Sequence, residues 1–270
     1  MIAVLLVVIL IVVLFIAQNV SKPSPQPTSS LYPGEVTQYQ NQSLTPITAF
    51  LGDIDQHPDV AIDGTQYINQ TSYRLTVTGL VNQTLEYTYE DVVNNFQSYQ
   101  QVATLLCVEG WSVTVLWQGV LVNDLIKEAG VSPNATTIIF YASDGYSTEL
   151  PLDYIVQNNL ILAYKMNNVT LPAVAGFPFM LVAQNQYGYK WIKWVTSIDV
   201  SNDSSYLGYW ESRGYPNNAT TSGNPNNPTL HVNNVLIAEV TVVIVVAVIY
   251  ITLMKTKTKR PKFRSPRGKA

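Results

Sequence analysis

Two long apolar segments enclose the rest of this chain and limit where a folded domain can lie. The first, Ile2 to Ala17, is an uncharged run of sixteen residues, and the second, Val235 to Met254, is twenty residues long. A helix of twenty residues is about 30 Å long, which matches the hydrocarbon core of a bilayer. We therefore predict a transmembrane helix over 235–254 and one folded domain between the two segments.

The first apolar segment has two interpretations. It is near the short limit for a membrane span, and no Lys or Arg precedes it, as one would in most signal peptides. Residues 1–20 are therefore interpreted as a membrane anchor or a signal. Glu239, the one acid in the second segment, lies at the membrane interface or contacts another membrane subunit.

The charge distribution predicts the orientation. Eight of the fifteen Lys and Arg residues fall within 255–270, directly after the second apolar segment. By the positive-inside rule this tail is cytoplasmic, which places residues 21–234 on the extracytoplasmic side of the cell membrane. That part carries seven basic and seventeen acidic side chains, a net charge of −10. An acidic surface repels phosphate backbones, so we expect no nucleic-acid partner.

Asn-x-Ser/Thr sequons support an exterior location. Seven of them lie within residues 21–234, at Asn41, Asn69, Asn82, Asn134, Asn168, Asn202 and Asn218. They predict a glycoprotein. The same part is poor in charged residues, and we interpret this as adaptation to an acidic exterior, where ion pairs between surface carboxylates and bases fail.

Composition also divides the extracytoplasmic part. Residues 21–45 are rich in Pro, Ser, Gln and Thr, and 216–234 are polar and rich in Asn, so both are predicted linkers. Residues 46–215 form the predicted domain.

Periodicity within the domain predicts a mixed α+β fold. Strands are predicted where apolar and polar residues alternate or apolar residues form a short run, and helices where apolar residues recur at helical spacing. The predicted strands are 73–81, 137–141 and 192–200. One predicted helix begins after Thr88 as its N-cap, and a second spans 121–129. Strands separated by short helices favour an α+β domain.

Cysteine usage narrows the possible metal chemistry. The chain has one cysteine, Cys107, and two histidines, His57 and His231, which we interpret as surface residues. An intramolecular disulfide, an iron–sulfur cluster and a zinc site with several Cys ligands are thereby excluded. A bound metal would have few protein ligands and would arrive within an organic cofactor.

The densest chemical signal is the segment LLCVEGWSVTVLW at 105–117. Glu109 and Gly110 interrupt an apolar run just after Cys107, which predicts a turn that presents the sulfur to a cavity. A thiolate is a soft ligand, suited to a metal held by dithiolene sulfurs. The alternative is that Cys107 is an inert core residue.

A series of motifs in this order resembles the sulfite oxidase and MsrP-like family of molybdopterin-dependent oxidoreductases. The motifs are CVEGW at 107–111, W-x-G-V at 117–120, DGYS at 144–147, LAY at 162–164, GFP at 176–178, YGYKWIKW at 187–194 and GYWE-x-RGY at 208–215. The resemblance implies the sulfite-oxidase-like fold and a molybdopterin cofactor carrying molybdenum, with tungsten as a possible substitute.

The resemblance also implies roles for individual residues. Cys107 would be the protein ligand of the metal, and Glu109 would move protons during oxygen-atom transfer or, alternatively, serve only as a turn carboxylate. Trp111 is the aromatic residue predicted to wall the pocket. The segment that holds the cofactor's phosphate in relatives contains Lys190, Trp191 and Lys193, and the alternative for the lysines is a strand surface.

Two positions depart from the family pattern, since Met180 stands where relatives commonly have Arg, and Ala175 where some have Asn. The turn also lacks the basic residues that sulfite oxidases place after the cysteine. We therefore expect oxygen-atom transfer on a small sulfoxide or N-oxide. The alternatives are a sulfite oxidase-like enzyme and a non-catalytic surface binding domain. Without haem or iron–sulfur ligands, the chain would exchange electrons with a separate partner.

Overall fold

The computed structural model describes residues 32–56 and 61–221. Both apolar segments, the basic tail, His57 and His231 lie outside these ranges, so the predictions about them are not addressed by the structure. No helix in the described part of the chain is long and apolar enough to cross a bilayer. From Tyr32 on, the predicted N-terminal linker packs on the domain: the Val36 amide donates to the Asn167 carbonyl at 3.0 Å, and the Thr45 amide to the Thr114 carbonyl at 2.7 Å.

The described residues form twelve strands, four α-helices and three 3-10 helices. The strands are β1 (Gln38–Tyr39), β2 (Gln42–Ser43), β3 (Leu75–Gly79), β4 (Leu85–Tyr87), β5 (Ser98–Leu106), β6 (Ser112–Leu121), β7 (Thr137–Ala142), β8 (Ser147–Pro151), β9 (Ile161–Met166), β10 (Val169–Thr170), β11 (Met180–Val182) and β12 (Val195–Ser201). The helices are α1 (Ile47–Gln56), α2 (Tyr89–Asn95), α3 (Val122–Glu128) and α4 (Leu152–Gln157); the 3-10 helices span Ala173–Ala175, Gly188–Lys190 and Glu211–Arg213.

Two five-stranded sheets build the domain, and β1 and β2 form a separate hairpin. The first sheet has the order β10-β9-β6-β5, with β11 also paired to β9, and all its pairings are antiparallel. The second has the order β4-β3-β12-β7-β8. Within it only β3 and β12 are parallel. This mixed architecture with short helices confirms the predicted α+β class.

The predicted elements are present, and several are shorter than predicted. The strand predicted over 73–81 is β3, and the one over 137–141 is β7. Thr88 caps α2 in a capping box with Asp91, and α3 lies within the helix predicted over 121–129. The strand predicted over 192–200 begins only at Val195, because Trp194 has a positive φ of 51° that extended backbone does not allow.

Candidate active site

Cys107 lies at the point where the first sheet turns from β5 into β6. The two strands pair residue by residue up to Leu106 and Ser112. Beyond them the Cys107 amide donates to the Trp111 carbonyl at 2.9 Å, and the Gly110 amide to the Cys107 carbonyl at 3.1 Å. Gly110 has φ +95°, a conformation that favours glycine. The turn predicted from the sequence is therefore present, and it leaves the Cys107 side chain half-buried.

The same turn brings together three of the predicted site residues. The Cys107 sulfur lies 4.0 Å from Glu109 Oε2, and Glu109 is exposed. Trp111 is half-buried and packs against the hydrophobic core. A thiol, a carboxylate and an aromatic wall thus share one solvent-facing turn.

A second segment, Tyr187 to Trp194, begins directly beside this turn. Leu106 and Tyr187 form a parallel bridge. At Gly188 a Cβ atom would lie 3.3 Å from Leu105 Cδ2 and 3.4 Å from the Leu106 carbonyl oxygen. The 3-10 helix Gly188–Lys190 therefore lies so close to the backbone that carries Cys107 that a Cβ at this position would be tightly packed.

Lys190, predicted to contact the cofactor's phosphate, is fully buried in an ion-pair network. Its Nζ lies 2.6 Å from Glu211 Oε1 and 3.5 Å from Glu149 Oε1. It also donates to the Glu149 carbonyl at 3.0 Å and to Asn217 Oδ1 at 3.1 Å. In this conformation the ammonium group has no accessible surface for a ligand, so a contact with a phosphate would require it to leave these partners.

One ammonium faces two carboxylates in this network. Burial raises the pKa of Glu149, and the nearby Lys190 opposes part of that rise. Glu211 is 3% exposed, and its Oε1 also accepts a hydrogen bond from Thr148 Oγ1 at 2.9 Å. Burial therefore favours the protonated form of Glu149.

Trp191 lies in the core. Its side chain is fully buried, its Nε1 donates to the Gln186 carbonyl at 3.0 Å, and its ring centroid lies 5.9 Å from that of Trp117. Trp117 belongs to β6, the strand paired with β5. Trp191 thus ties the 187–194 segment to the sheet that carries Cys107.

Lys193 lies where three of the motif loops meet. Its Nζ is 4.3 Å from the ring centroid of Trp194 and 3.4 Å from the Val174 carbonyl oxygen. The Trp194 amide donates to the Gly176 carbonyl at 3.3 Å, and the Trp194 carbonyl accepts from the Ser143 amide at 3.1 Å. Three segments therefore meet beside this lysine. They are the loop before the DGYS motif, the loop around GFP and the end of the YGYKWIKW motif.

The two departures from the family pattern are both internal. Met180, on β11, is 2% exposed, and Ala175 is fully buried. Met180 pairs with Ala163 of β9. An apolar side chain satisfies this position, so the strand is intact without the arginine.

The donors present at the turn fit a molybdopterin cofactor. In the described part of the chain no three His, Cys, Asp or Glu residues are grouped to hold a bare metal ion. Cys107 instead offers a single soft sulfur at an accessible turn, which suits a metal whose other ligands belong to the cofactor. The fold and this turn therefore agree with what the resemblance to molybdopterin-dependent oxidoreductases implies.

Comparison with known proteins gives the family. Residues 62–210 match the oxidoreductase molybdopterin binding domain, and the chain belongs to that family. It is therefore an enzyme, and its cofactor is molybdopterin with molybdenum.

Several characterised or named proteins are similar. The chain is 32% identical to the uncharacterized oxidoreductase YuiH of Bacillus subtilis, over 67% of this chain and 86% of that protein. It is 31% identical to the putative protein-methionine-sulfoxide reductase subunit YedZ1 of Azospira oryzae, over 63% of this chain and 61% of that protein. The sulfane dehydrogenase SoxCD of Paracoccus pantotrophus shares the fold, with a TM-score of 0.50, 24% identity and coverage of 52% of this chain and 41% of that one.

Sequence reasoning missed three residues that shape this site. Glu149 and Glu211 hold Lys190, and Gly188 sets the approach to Cys107. The available signal was the acid inside an otherwise aromatic motif, GYWE, since an acid among buried aromatic residues needs a cationic partner. The identity of that partner depends on tertiary structure.

Proposed function

We propose that this enzyme reduces a small sulfoxide or N-oxide by oxygen-atom transfer at a molybdenum centre bound through Cys107. The half-buried Cys107 sulfur, in an accessible turn 4.0 Å from the Glu109 carboxylate, carries the proposal. The net reaction breaks the sulfur–oxygen or nitrogen–oxygen bond, consumes two electrons and two protons, and releases water. When bound, the cofactor supplies a metal that exchanges an oxygen atom and two electrons.

The residues of the turn divide this work. Cys107 would complete the sulfur ligands of the metal, Trp111 would wall the pocket, and Glu109 would transfer a proton to the departing oxygen. Lys193 would hold the cofactor. The resemblance implies the same role for Lys190 and Trp191, but both side chains are fully buried in this structure.

The charge at the turn favours a neutral substrate. Its charged side chain is Glu109, which would repel a dianion such as sulfite, whereas a sulfoxide carries no net charge. The similarity to YedZ1, named as a methionine-sulfoxide reductase subunit, points the same way. Sulfite oxidation is the second candidate because the motifs of this chain also resemble those of sulfite oxidases.

We also propose that the domain works on the extracytoplasmic side of the cell membrane and receives electrons from a separate protein. All seven sequon asparagines in the described ranges are exposed, whereas only three of the eight other asparagines there are. This contrast supports glycan attachment. The chain has no CxxCH motif for covalent haem attachment and too few cysteines for an iron–sulfur cluster, which supports an external source of electrons.

The deciding experiment compares the full chain with two variants after expression in its native host. Molybdenum per chain is measured by mass spectrometry for the wild type, Cys107→Ser and the exposed control Ser112→Ala. We expect metal in the wild type and control, and its loss or an altered spectrum in Cys107→Ser. Unchanged metal and spectrum in Cys107→Ser would refute the ligand assignment.

Substrate and location are tested on the same preparation. Methionine sulfoxide, an N-oxide and sulfite are compared by kcat/KM with artificial electron donors and acceptors; the highest value for sulfite would overturn the proposed substrate class. Glycopeptide mass spectrometry tests the location, and seven unmodified sequons would remove that support.

A further inference from the structure

Lys190, which pairs with Glu211, is two residues after Gly188, which contacts the strand leading to Cys107. Lys190 and Gly188 are the two ends of one 3-10 helix. At one end Lys190 is bound by Glu211, Glu149 and Asn217. At the other end Gly188 packs against the backbone of Leu106.

The same 3-10 helix has a second attachment to the second sheet. Tyr146 Oη, from the DGYS motif, donates to the Tyr189 carbonyl at 2.6 Å. Tyr189 Oη in turn donates to the Pro216 carbonyl at 2.7 Å. The helix is thus fixed from the side of β8 and the C-terminal segment, and it presents Gly188 to the first sheet.

We infer that Lys190 is a positioning residue: its ion pair with Glu211 fixes Gly188 against Leu106 and so sets the orientation of the Cys107 thiol. In this conformation Lys190 itself has no exposed surface. The inference rests on the proposed role of Cys107 as metal ligand. It differs from the expectation that Lys190 contacts the cofactor's phosphate, and the two assignments predict different results in protein without cofactor.

Cys107 is the one cysteine of the chain, so its alkylation reports on this turn alone. The test is the rate of reaction with iodoacetamide in full-length protein prepared without cofactor, because thiol reactivity depends on access and on the thiolate fraction. Glu211→Gln is the main variant, since it keeps Lys190 and the shape of its partner while removing one charge. Lys190→Arg, which keeps the cation, is the conservative variant.

We expect Glu211→Gln to raise the alkylation rate about threefold or more through local opening of the 188 segment. Lys190→Arg should lie between this variant and the wild type. Val77→Ala, in buried β3 of the second sheet, controls for general loss of stability, and rates are compared at equal distances below each melting temperature. In the reconstituted enzyme, Glu211→Gln should also alter the molybdenum electron paramagnetic resonance signal.

Two results would overturn the inference: an alkylation rate in Glu211→Gln equal to that of the wild type, or an equal rise in Val77→Ala. Direct phosphate binding by Lys190 predicts the first of these, together with weaker cofactor retention in Lys190→Arg. Failure of the proposed function is seen separately, as metal retained by Cys107→Ser. The alkylation rate does not depend on that outcome.

Discussion

Lys190 and Glu211 form an ion pair of 2.6 Å in which both side chains are fully buried. Glu149 approaches the same ammonium to 3.5 Å, so the core of this domain holds three ionisable groups at one point. Removing one partner of a buried pair leaves a charge that water cannot reach. The stability of the folded protein should therefore depend on each member of this network and on pH.

Lys190→Met should destabilise the protein by about 3–5 kcal/mol, because two buried carboxylates would lose their cation. The free energy of unfolding is measured by urea titration of the full chain, followed by circular dichroism. Lys127→Met is the matched control, since Lys127 is exposed in the last turn of α3; its cost should stay within about 0.5 kcal/mol. Equal costs for the two variants would contradict the importance of the network.

Glu149 should contribute more to the stability of the folded protein at acidic pH than at neutral pH. Burial raises the pKa of Glu149 above the usual value for a glutamate, so the folded protein binds this proton more tightly than the unfolded chain. Its contribution is then complete below the unfolded pKa and is lost as pH rises through the folded pKa. The excess stability of the wild type over Glu149→Gln, measured by urea titration at a series of pH values, should therefore fall as pH rises above about 4.

The control for this pH profile is Asp91→Asn. Hydrogen bonds from Thr88 lower the pKa of the half-buried Asp91, so its contribution has the opposite sign and is lost as pH falls. A wild-type advantage over Glu149→Gln that grows with pH would contradict the role of Glu149. A wild-type stability that collapses below neutral pH would also count against adaptation to an acidic exterior.

Gly119, from the W-x-G-V motif, has a purely steric role. A Cβ atom there would lie 2.2 Å from the Leu162 carbonyl oxygen and 2.6 Å from Ala163 Cα on β9. Gly119→Ala should therefore separate β6 from β9 and cost about 3 kcal/mol or more. Its melting temperature is compared with that of Ser112→Ala, an exposed change on the same strand; similar values would contradict the steric explanation.

The parts of the site that are local in sequence were predictable, and the parts that depend on distant contacts were not. The Cys107 turn follows from an apolar run broken by Glu109 and Gly110, because a polar residue and a glycine end a strand. The Thr88 cap follows similarly from residues three apart. The partners of Lys190 are far along the chain, with Glu149 41 residues away, and no local pattern distinguishes a buried lysine from a phosphate-binding one.

Lys193 provides a test of which lysine holds the cofactor. It lies where the loops around Gly176 and Ser143 meet beside Trp194, and its ammonium approaches the Val174 carbonyl rather than the Glu211 network. A lost charge-assisted hydrogen bond costs about 1.5–3 kcal/mol. Lys193→Met should therefore retain about tenfold less molybdenum after dialysis while keeping its circular dichroism spectrum. Lys165→Met, on β9, should retain the wild-type amount, and full retention in Lys193→Met would move the phosphate site away from this lysine.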